Sequence, residues 1–232
     1  MIILKTLLII PAYNEEDNIE TTIKKISNKY DYIIINDGST DNTKNILEKN
    51  NYNHINLIRN LGIGGAVQTG YKYALKNNYD IAIQFDADGQ HDCNSIEKLI
   101  KPIKDGEVQF TIGSRFISND ENFKSTKLRQ MGIKLISNEI KLFSNTRIYD
   151  VTSGFRAANK DIIKKFANKY PSEYPEPISN FELIKEGYKV KEVSVKMHER
   201  KGGKSSIGSW KNFYYMFNDD KVDFENIKKA IN

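Results

Sequence analysis

The sequence predicts an α/β fold with a mainly parallel central sheet and helices on both faces. Two observations carry that expectation. Short apolar, β-compatible runs alternate with stretches of helical period as far as Ile112, and polar turns rich in Asp, Asn and Gly recur where the runs end. In chain order the pattern reads as a strand at Lys5–Ile10, a helix near Glu15–Asn28, a strand at Tyr32–Asn36 and a helix near Asp41–Lys49. It continues with a strand at Ile55–Arg59, a helix from about Gly65 to Lys76, a strand at Asp80–Phe85, a helix near Asn94–Lys104 and a strand at Val108–Ile112. After Arg115 the alternation weakens: Lys124–Phe143 reads as one long amphipathic helix, Asp161–Lys169 as a short one, and Tyr188–Met197 as a strand with period-two patterning.

No internal repeat or low-complexity linker interrupts the chain, so its second half is expected to pack on the first. The 232 residues suit a single α/β unit, expected over residues 1–208, with a C-terminal tail at 209–232. The lone Cys93 excludes an internal disulfide framework and suits a reducing, cytoplasmic setting; its expected job is to line the helix that follows. The apolar run from Thr6 to Ala12 is too short to cross a bilayer and lacks a leader's cleavage region. A net charge of +5 with pI about 9.0 is mild, and no basic run interleaved with aromatics forms a nucleic-acid module.

The most informative segment is Gln84-Phe-Asp-Ala-Asp-Gly-Gln-His91, which puts Asp86 and Asp88 one residue apart where a buried strand runs out. At the carboxyl edge of an open α/β sheet that arrangement suits Mg2+ or Mn2+ shared with a nucleotide diphosphate. Solvated turn aspartates are the plainer alternative. Three further turns fall at the same predicted edge. In Pro11-Ala-Tyr-Asn-Glu-Glu16, Tyr13 can lie against a base or ribose and Glu15 can accept from base or sugar donors, while Glu16 and Asp17 read as first-turn helix acids. In Asn36-Asp-Gly-Ser-Thr-Asp41, Asp37 is placed to accept from a base N–H and Asp41 to cap the next helix. The glycines of Asn60-Leu-Gly-Ile-Gly-Gly-Ala66 match neither a dinucleotide fingerprint nor a P-loop, and Gly64 serves either close passage of a nucleotide sugar or a tight turn.

Taken in order, these motifs together with Gly113-Ser-Arg-Phe116, Asp150-Val-Thr-Ser-Gly-Phe-Arg-Ala157 and Arg200-Lys-Gly-Gly-Lys-Ser-Ser206 resemble family 2 inverting glycosyltransferases of the GT-A fold. Within that family the dolichyl- or polyprenyl-phosphate sugar synthase branch is the nearest in pattern, and the likeness spans about residues 5–208. The resemblance implies a UDP- or GDP-linked sugar donor, a divalent metal (Mg2+ or Mn2+) and transfer to polyprenyl phosphate or a growing cell-surface glycan. By position it implies that Pro11, Tyr13, Glu15, Ile35 and Asp37 hold the nucleoside. Asp86, Ala87, Asp88 and Gln90 would meet the diphosphate, with Asp86, Asp88 and Gln90 on the metal. Arg115, Arg200 and Lys204 match positions that contact donor phosphates or acceptor, and Arg129 an acceptor-phosphate position.

The leaving nucleoside diphosphate gains charge as the glycosidic bond breaks, so a metal with Asp88 behind it and cations such as Arg200 would stabilise it. The Gly202-Gly203 pair between Arg200 and Lys204 gives that segment the freedom to close over a donor. A sugar-hydroxyl acceptor needs a carboxylate base, for which Asp150, Glu176 and Glu182 are the candidates, whereas a lipid phosphate needs none; Asp150, beside the Ser153-Gly154 turn, reads equally as a structural hydrogen-bond acceptor. Relatives in the resembled family carry a Glu where this chain has Ile178, which leaves Glu176 as the substitute. Relatives also continue into membrane helices, but here Ile207–Phe217 is short and aromatic. Its expected role is packing on the core or on a second subunit, as in a homodimer, with peripheral contact at the inner membrane face as the alternative. The rival readings are a soluble capsule or lipopolysaccharide transferase, a degenerate nucleotide-sugar binder without turnover, and a nucleotidyltransferase.

Overall fold

The computed structural model describes residues 4–26, 29–117 and 148–197. The predicted Lys124–Phe143 helix, the tail at 209–232, and Arg129, Arg200 and Lys204 lie outside these residues. The described elements run β1 (Thr6–Ala12), α1 (Ile19–Ile26), β2 (Asp31–Asn36), α2 (Thr43–Lys49), β3 (His54–Asn56), α3 (Gly62–Lys76) and β4 (Ile81–Gln84). They go on through a short 3-10 turn at Cys93–Ser95 to α4 (Ile96–Lys104), β5 (Phe110–Ser114), β6 (Arg156–Asn159), α5 (Lys160–Asn168), α6 (Pro175–Lys185) and β7 (Val190–Ser194).

These strands form one sheet ordered β3-β2-β1-β4-β6-β5-β7, parallel throughout except for β6, which runs antiparallel to both β4 and β5. Helices cover both faces, and β1 shows why. Leu7 and Ile9 enter one core with Val67 and Tyr71 of α3 and Phe166 of α5, while Leu8 and Ile10 enter the other with Ile19 and Ile23 of α1 and Leu99 of α4. All four β1 side chains are fully buried, each stabilising the fold by roughly 1.5–3 kcal/mol of apolar transfer. Helix α1 is amphipathic, with Ile19, Thr22, Ile23 and Ile26 buried at helical spacing. Helix α3 lies close against β1 because Gly70 has no Cβ; one placed there would stand 2.1 Å from Ile9 Cγ2.

The structure differs from the sequence reading at four elements. Helix α1 starts at Ile19 rather than Glu15, because Glu15 closes a turn whose carbonyl accepts from the N–H groups of Asn18 and Ile19. Strand β3 stops at Asn56, since it pairs only with β2, which ends opposite at Asn36, and Ile58 is left fully exposed. Strand β6 was not foreseen: Arg156-Ala-Ala-Asn159 carries no β-branched or aromatic residue to mark it. Helix α6 was not foreseen either: it begins in a Pro-Glu-Pro stretch, with Pro175 in its first turn, where a missing N–H costs nothing, and Tyr174 before it at φ 44°.

Candidate nucleotide-sugar site

Because β1, β2 and β4 are parallel and in register, their carboxyl ends meet at one edge of the sheet, as predicted. The reversal of β6 brings its amino end to the same edge, where Arg156 pairs with Gln84. The turns that follow β1, β2, β4 and β5, and the one that precedes β6, therefore converge.

The first two turns are laced together by side chains. Asn14, held at φ 55°, accepts at Oδ1 from Thr40 N (2.8 Å), and its own N–H donates to Ser39 Oγ (3.0 Å). Glu15 N donates to Thr43 Oγ1 and Glu16 N to Asp41 Oδ2, while Asp41 Oδ1 accepts from Thr43 N; the N-cap of α2 is Asn42, one residue after the Asp41 expected there. Tyr13 stands 39% exposed beside this lattice, available to a planar ligand. Pro11 and Ile35 face each other across β1 and β2, and the Ile35 side chain is enclosed in the core, so it packs beneath the edge instead of reaching over it. Glu15 is nearly buried, with Oε2 accepting from Asn18 Nδ2 at 2.9 Å. Asp37 is also nearly buried, and its Oδ1 accepts from Leu61 N at 2.7 Å, so its carboxylate anchors the start of α3. Burial pushes the Asp37 pKa up, against the N–H groups of Leu61 and Gly62.

Gly64 has a different reason from those expected. A Cβ there would stand 2.2 Å from Pro171 O, so the close approach is to the protein backbone that leads into α6.

The segment after β4 holds the two predicted metal carboxylates. Asp86 keeps 34% of its side chain exposed, and Asp88, partly exposed, accepts at Oδ1 from Gln90 N (3.0 Å) across the turn allowed by Gly89 at φ 76°. Ala87 between them is buried, and its carbonyl accepts from Thr22 Oγ1 at 2.9 Å, so α1 pins this turn and the Ala87 side chain belongs to the core. Among the described residues no three His, Cys, Asp or Glu side chains gather as a closed metal cage. Two partly exposed carboxylates nevertheless fit Mg2+ or Mn2+, which are normally held by one or two carboxylates together with water and substrate phosphate.

Four residues that the sequence reading did not single out complete the edge. His91 is buried, stacked on Phe155 (centroids 4.6 Å apart) and edge-on to Phe85. Its Nδ1 accepts from Asp86 N at 3.0 Å, which places the proton on Nε2, 3.4 Å from Asp86 Oδ2. Burial pushes the His91 pKa down to about 4, against the charges of Asp88 and Asp150, so the ring is neutral at pH 7. Gly154 lets the backbone lie against Asp86, since a Cβ there would stand 2.9 Å from Oδ2. Arg156 is 0% exposed, donating from Nη1 to Ser179 Oγ (2.7 Å) and from Nη2 to Gln84 Oε1 (2.9 Å) and to the Tyr170 hydroxyl. Gln84 in turn donates from Nε2 to Glu176 Oε1 at 3.5 Å. A visible signal was present for one of them: Gln84 is a polar residue at the end of a strand that is otherwise apolar.

The candidate bases separate by environment. Asp150 is 0% exposed, and both of its oxygens are engaged by Arg115, with Nη2 to Oδ1 and Nε to Oδ2 each at 2.7 Å, while its N–H donates to Glu192. Of the two readings of Asp150, base and structural acceptor, this pairing favours the structural one, and Arg115 is drawn inward to that carboxylate. Burial raises the pKa of Glu192 against two N–H donors. Glu176 keeps 18% of its side chain exposed, 3.9 Å from Arg156 Nη2. Its pKa is raised by burial and by the charge of Asp86, against the pull of Arg156. Glu182 lies further along α6, 3.8 Å from Lys169 Nζ.

Known proteins resemble this chain in sequence or in fold. A UDP-N-acetylglucosamine–dolichyl-phosphate N-acetylglucosaminyltransferase of Methanococcus voltae is 36% identical over 82% of this chain and 84% of its own. Polyprenol monophosphomannose synthase of Mycolicibacterium smegmatis is 24% identical over 88% of this chain and 81% of its own. Glucosyl-3-phosphoglycerate synthase of Mycobacterium tuberculosis, solved with Mn2+, UDP-glucose and phosphoglyceric acid, superposes with a TM-score of 0.60 over 86% of this chain and 73% of that one. At 18% identity that likeness shows the fold alone. Residues 7–167 match the family described as glycosyl transferase family 2, which agrees with the sheet order, the acidic turn after β4 and the two relatives, and the chain belongs to that family of glycosyltransferases.

Proposed function

We propose that this glycosyltransferase moves a sugar from a UDP-linked donor to the phosphate of a polyprenyl phosphate, with inversion at the anomeric carbon and with Mg2+ or Mn2+ bound. The observation that carries the acceptor assignment is the setting of the three candidate bases: both oxygens of buried Asp150 are engaged by Arg115, Glu176 faces Gln84 and Arg156, and Glu182 lies against Lys169. A phosphate monoester is already anionic and needs no base. The names of the two curated relatives, one a dolichyl-phosphate N-acetylglucosaminyltransferase and the other a polyprenol monophosphomannose synthase, support the same class. The Mn2+ and UDP-glucose bound by the structural neighbour support the donor and the metal.

In this reading Tyr13 lies on the base, and Pro11, Glu15 and Asp37 line the nucleoside from the two laced turns. Asp86, Asp88 and Gln90 face the diphosphate and would hold the cation, which supplies charge neutralisation to the leaving group. Arg200 and Lys204 add positive charge from the segment 200–204, and Arg129 meets the acceptor phosphate. An acceptor phosphate oxygen attacks the anomeric carbon, the bond from that carbon to the UDP oxygen breaks, and UDP leaves with the electron pair; no proton is transferred. Residues 1–208 form the transferase unit, and the chain works at the cytoplasmic face of the membrane that carries its acceptor.

The test is UDP release from UDP-N-acetylglucosamine, with Mn2+, in the presence of vesicles carrying dolichyl phosphate or lacking it. Release that requires the lipid phosphate is expected. Release with a water-soluble saccharide, lost in Glu176→Gln and indifferent to the lipid, would move the assignment to a hydroxyl acceptor with Glu176 as base.

A further inference from the structure

Arg156 is an expensive residue to place where it is. A guanidinium taken wholly out of water loses several kcal/mol of hydration, and the site must return this through hydrogen bonds and opposite charge. The Ser179, Gln84 and Tyr170 bonds satisfy its two terminal nitrogens, and its plane approaches the Phe110 ring at 5.7 Å. Ser179 and Glu176 both come from α6, one turn apart, and Ser179 Oγ also donates to the Glu176 carbonyl at 3.2 Å. One cation thus ties α6 to the end of β4.

The direction of the Gln84 amide follows from this. With Oε1 accepting from Arg156, Nε2 must point the other way, toward Glu176 Oε1 and toward Gly154. A Cβ on Gly154 would stand 3.1 Å from Gln84 Nε2 and 2.9 and 3.3 Å from the two Asp86 oxygens. Gln84 and Asp86 are two residues apart on an extended segment, so their side chains project to the same side. The amide, the glycine backbone and the Asp86 carboxylate therefore form one packed stack whose base is Arg156.

We propose that Arg156 is a positioning residue for the donor site: through the oriented amide of Gln84 and the backbone at Gly154 it fixes the Asp86 carboxylate where a cation-bound diphosphate needs it. It does this without touching substrate, since it is enclosed. The fork is what matters, because only a planar guanidinium can serve Gln84, Ser179 and Tyr170 at once. The inference rests on the proposed donor chemistry, and its test reads binding instead of turnover.

The full chain is titrated calorimetrically with UDP, with and without Mn2+, as wild type, Arg156→Lys and Gln84→Met. In both variants UDP affinity without Mn2+ is expected to stay within about threefold of wild type. The extra affinity that Mn2+ confers should fall by about tenfold or vanish, the size expected when a residue supporting a metal ligand is removed. Gln84→Met keeps Arg156, Ser179 and Tyr170 in place, so it reports even where Arg156→Lys does not fold. A folded variant that keeps the full Mn2+ increment overturns the inference. So does an equal loss with and without Mn2+, which marks Arg156 as a general structural support. Wild type that binds UDP no better with Mn2+ overturns the proposed function itself, and this inference with it.

Discussion

The imidazole of His91 bridges the two ends of one residue: Nδ1 accepts from the backbone N–H of Asp86 at 3.0 Å, and Nε2 lies 3.4 Å from the Asp86 carboxylate. This works only for the neutral ring, because protonation would put a hydrogen on Nδ1 against the Asp86 N–H. In the unfolded chain His91 titrates near 6.5 and in the folded one near 4, so the stability it contributes is fully present above 6.5 and is lost as pH falls toward 4. Over that window the loss amounts to about 3 kcal/mol at most. His91→Asn keeps an acceptor and a donor but does not titrate. In chelator, urea unfolding should show a shallower decline from pH 6.5 to 4 for the variant than for wild type, and equal declines would contradict the buried neutral ring.

Asp150→Asn should lower stability by roughly 3–5 kcal/mol, since it leaves the Arg115 guanidinium without its bidentate partner in a buried setting. A catalytic base would behave differently, with turnover abolished and the melting transition unmoved. Thermal unfolding measured beside UDP release separates the two.

Gly64→Ala should destabilise the protein by roughly 1–3 kcal/mol, because the new methyl would press into the backbone at Pro171 and Ser172. The observable is the urea midpoint. An unchanged midpoint would mean that α3 and the approach to α6 are not in contact there.

Asp88→Asn should remove the Mn2+-dependent part of UDP binding and leave the melting temperature without ligand within a degree or two, because an Asn side chain keeps an oxygen to accept from Gln90 N. Full turnover in this variant would sink the metal assignment.

Tyr13→Ala should weaken UDP binding by about fivefold to a hundredfold, the range for losing one stacked base, without affecting stability. Calorimetry with UDP and with ribose 5-phosphate tells base stacking from phosphate contact, since only the first should respond.

Much of the fold was legible in the sequence because strands such as Leu7–Ile10 and Ile33–Ile35 are apolar on both faces, and helices such as α4 bury Ile96, Leu99, Ile100 and Ile103 at helical spacing. The acidic turn after β4 was legible for the same reason, lying where a buried run ends. What stayed hidden depends on distant partners. Nothing local to Arg156-Ala-Ala-Asn159 says strand; the segment is extended because β4 and β5 leave a gap of strand width between them. Asp150 looks like a base until Arg115, 35 residues away, is seen to hold both of its oxygens. Gly64 looks like a ligand loop until Pro171 is placed against it. His91 was read as the tail of a motif, although its ring accepts from the Asp86 N–H and lies beside the Asp86 carboxylate.

The reversed strand β6 sets a timetable. Asp86 leaves β4 early in the chain, but Gly154 and Arg156, which pack against and beneath it, are not made until some seventy residues later, and Glu176 later still. A chain emerging from the ribosome can pair β1, β2, β3 and β4 and lace the two nucleoside turns while the Asp86 end of the groove stands uncovered. That half pairs residues far apart in sequence, and contacts of that kind form slowly. The part of the sheet edge built from the turns after β1 and β2 and the part built around Asp86 thus draw on stretches of chain that are made at different times.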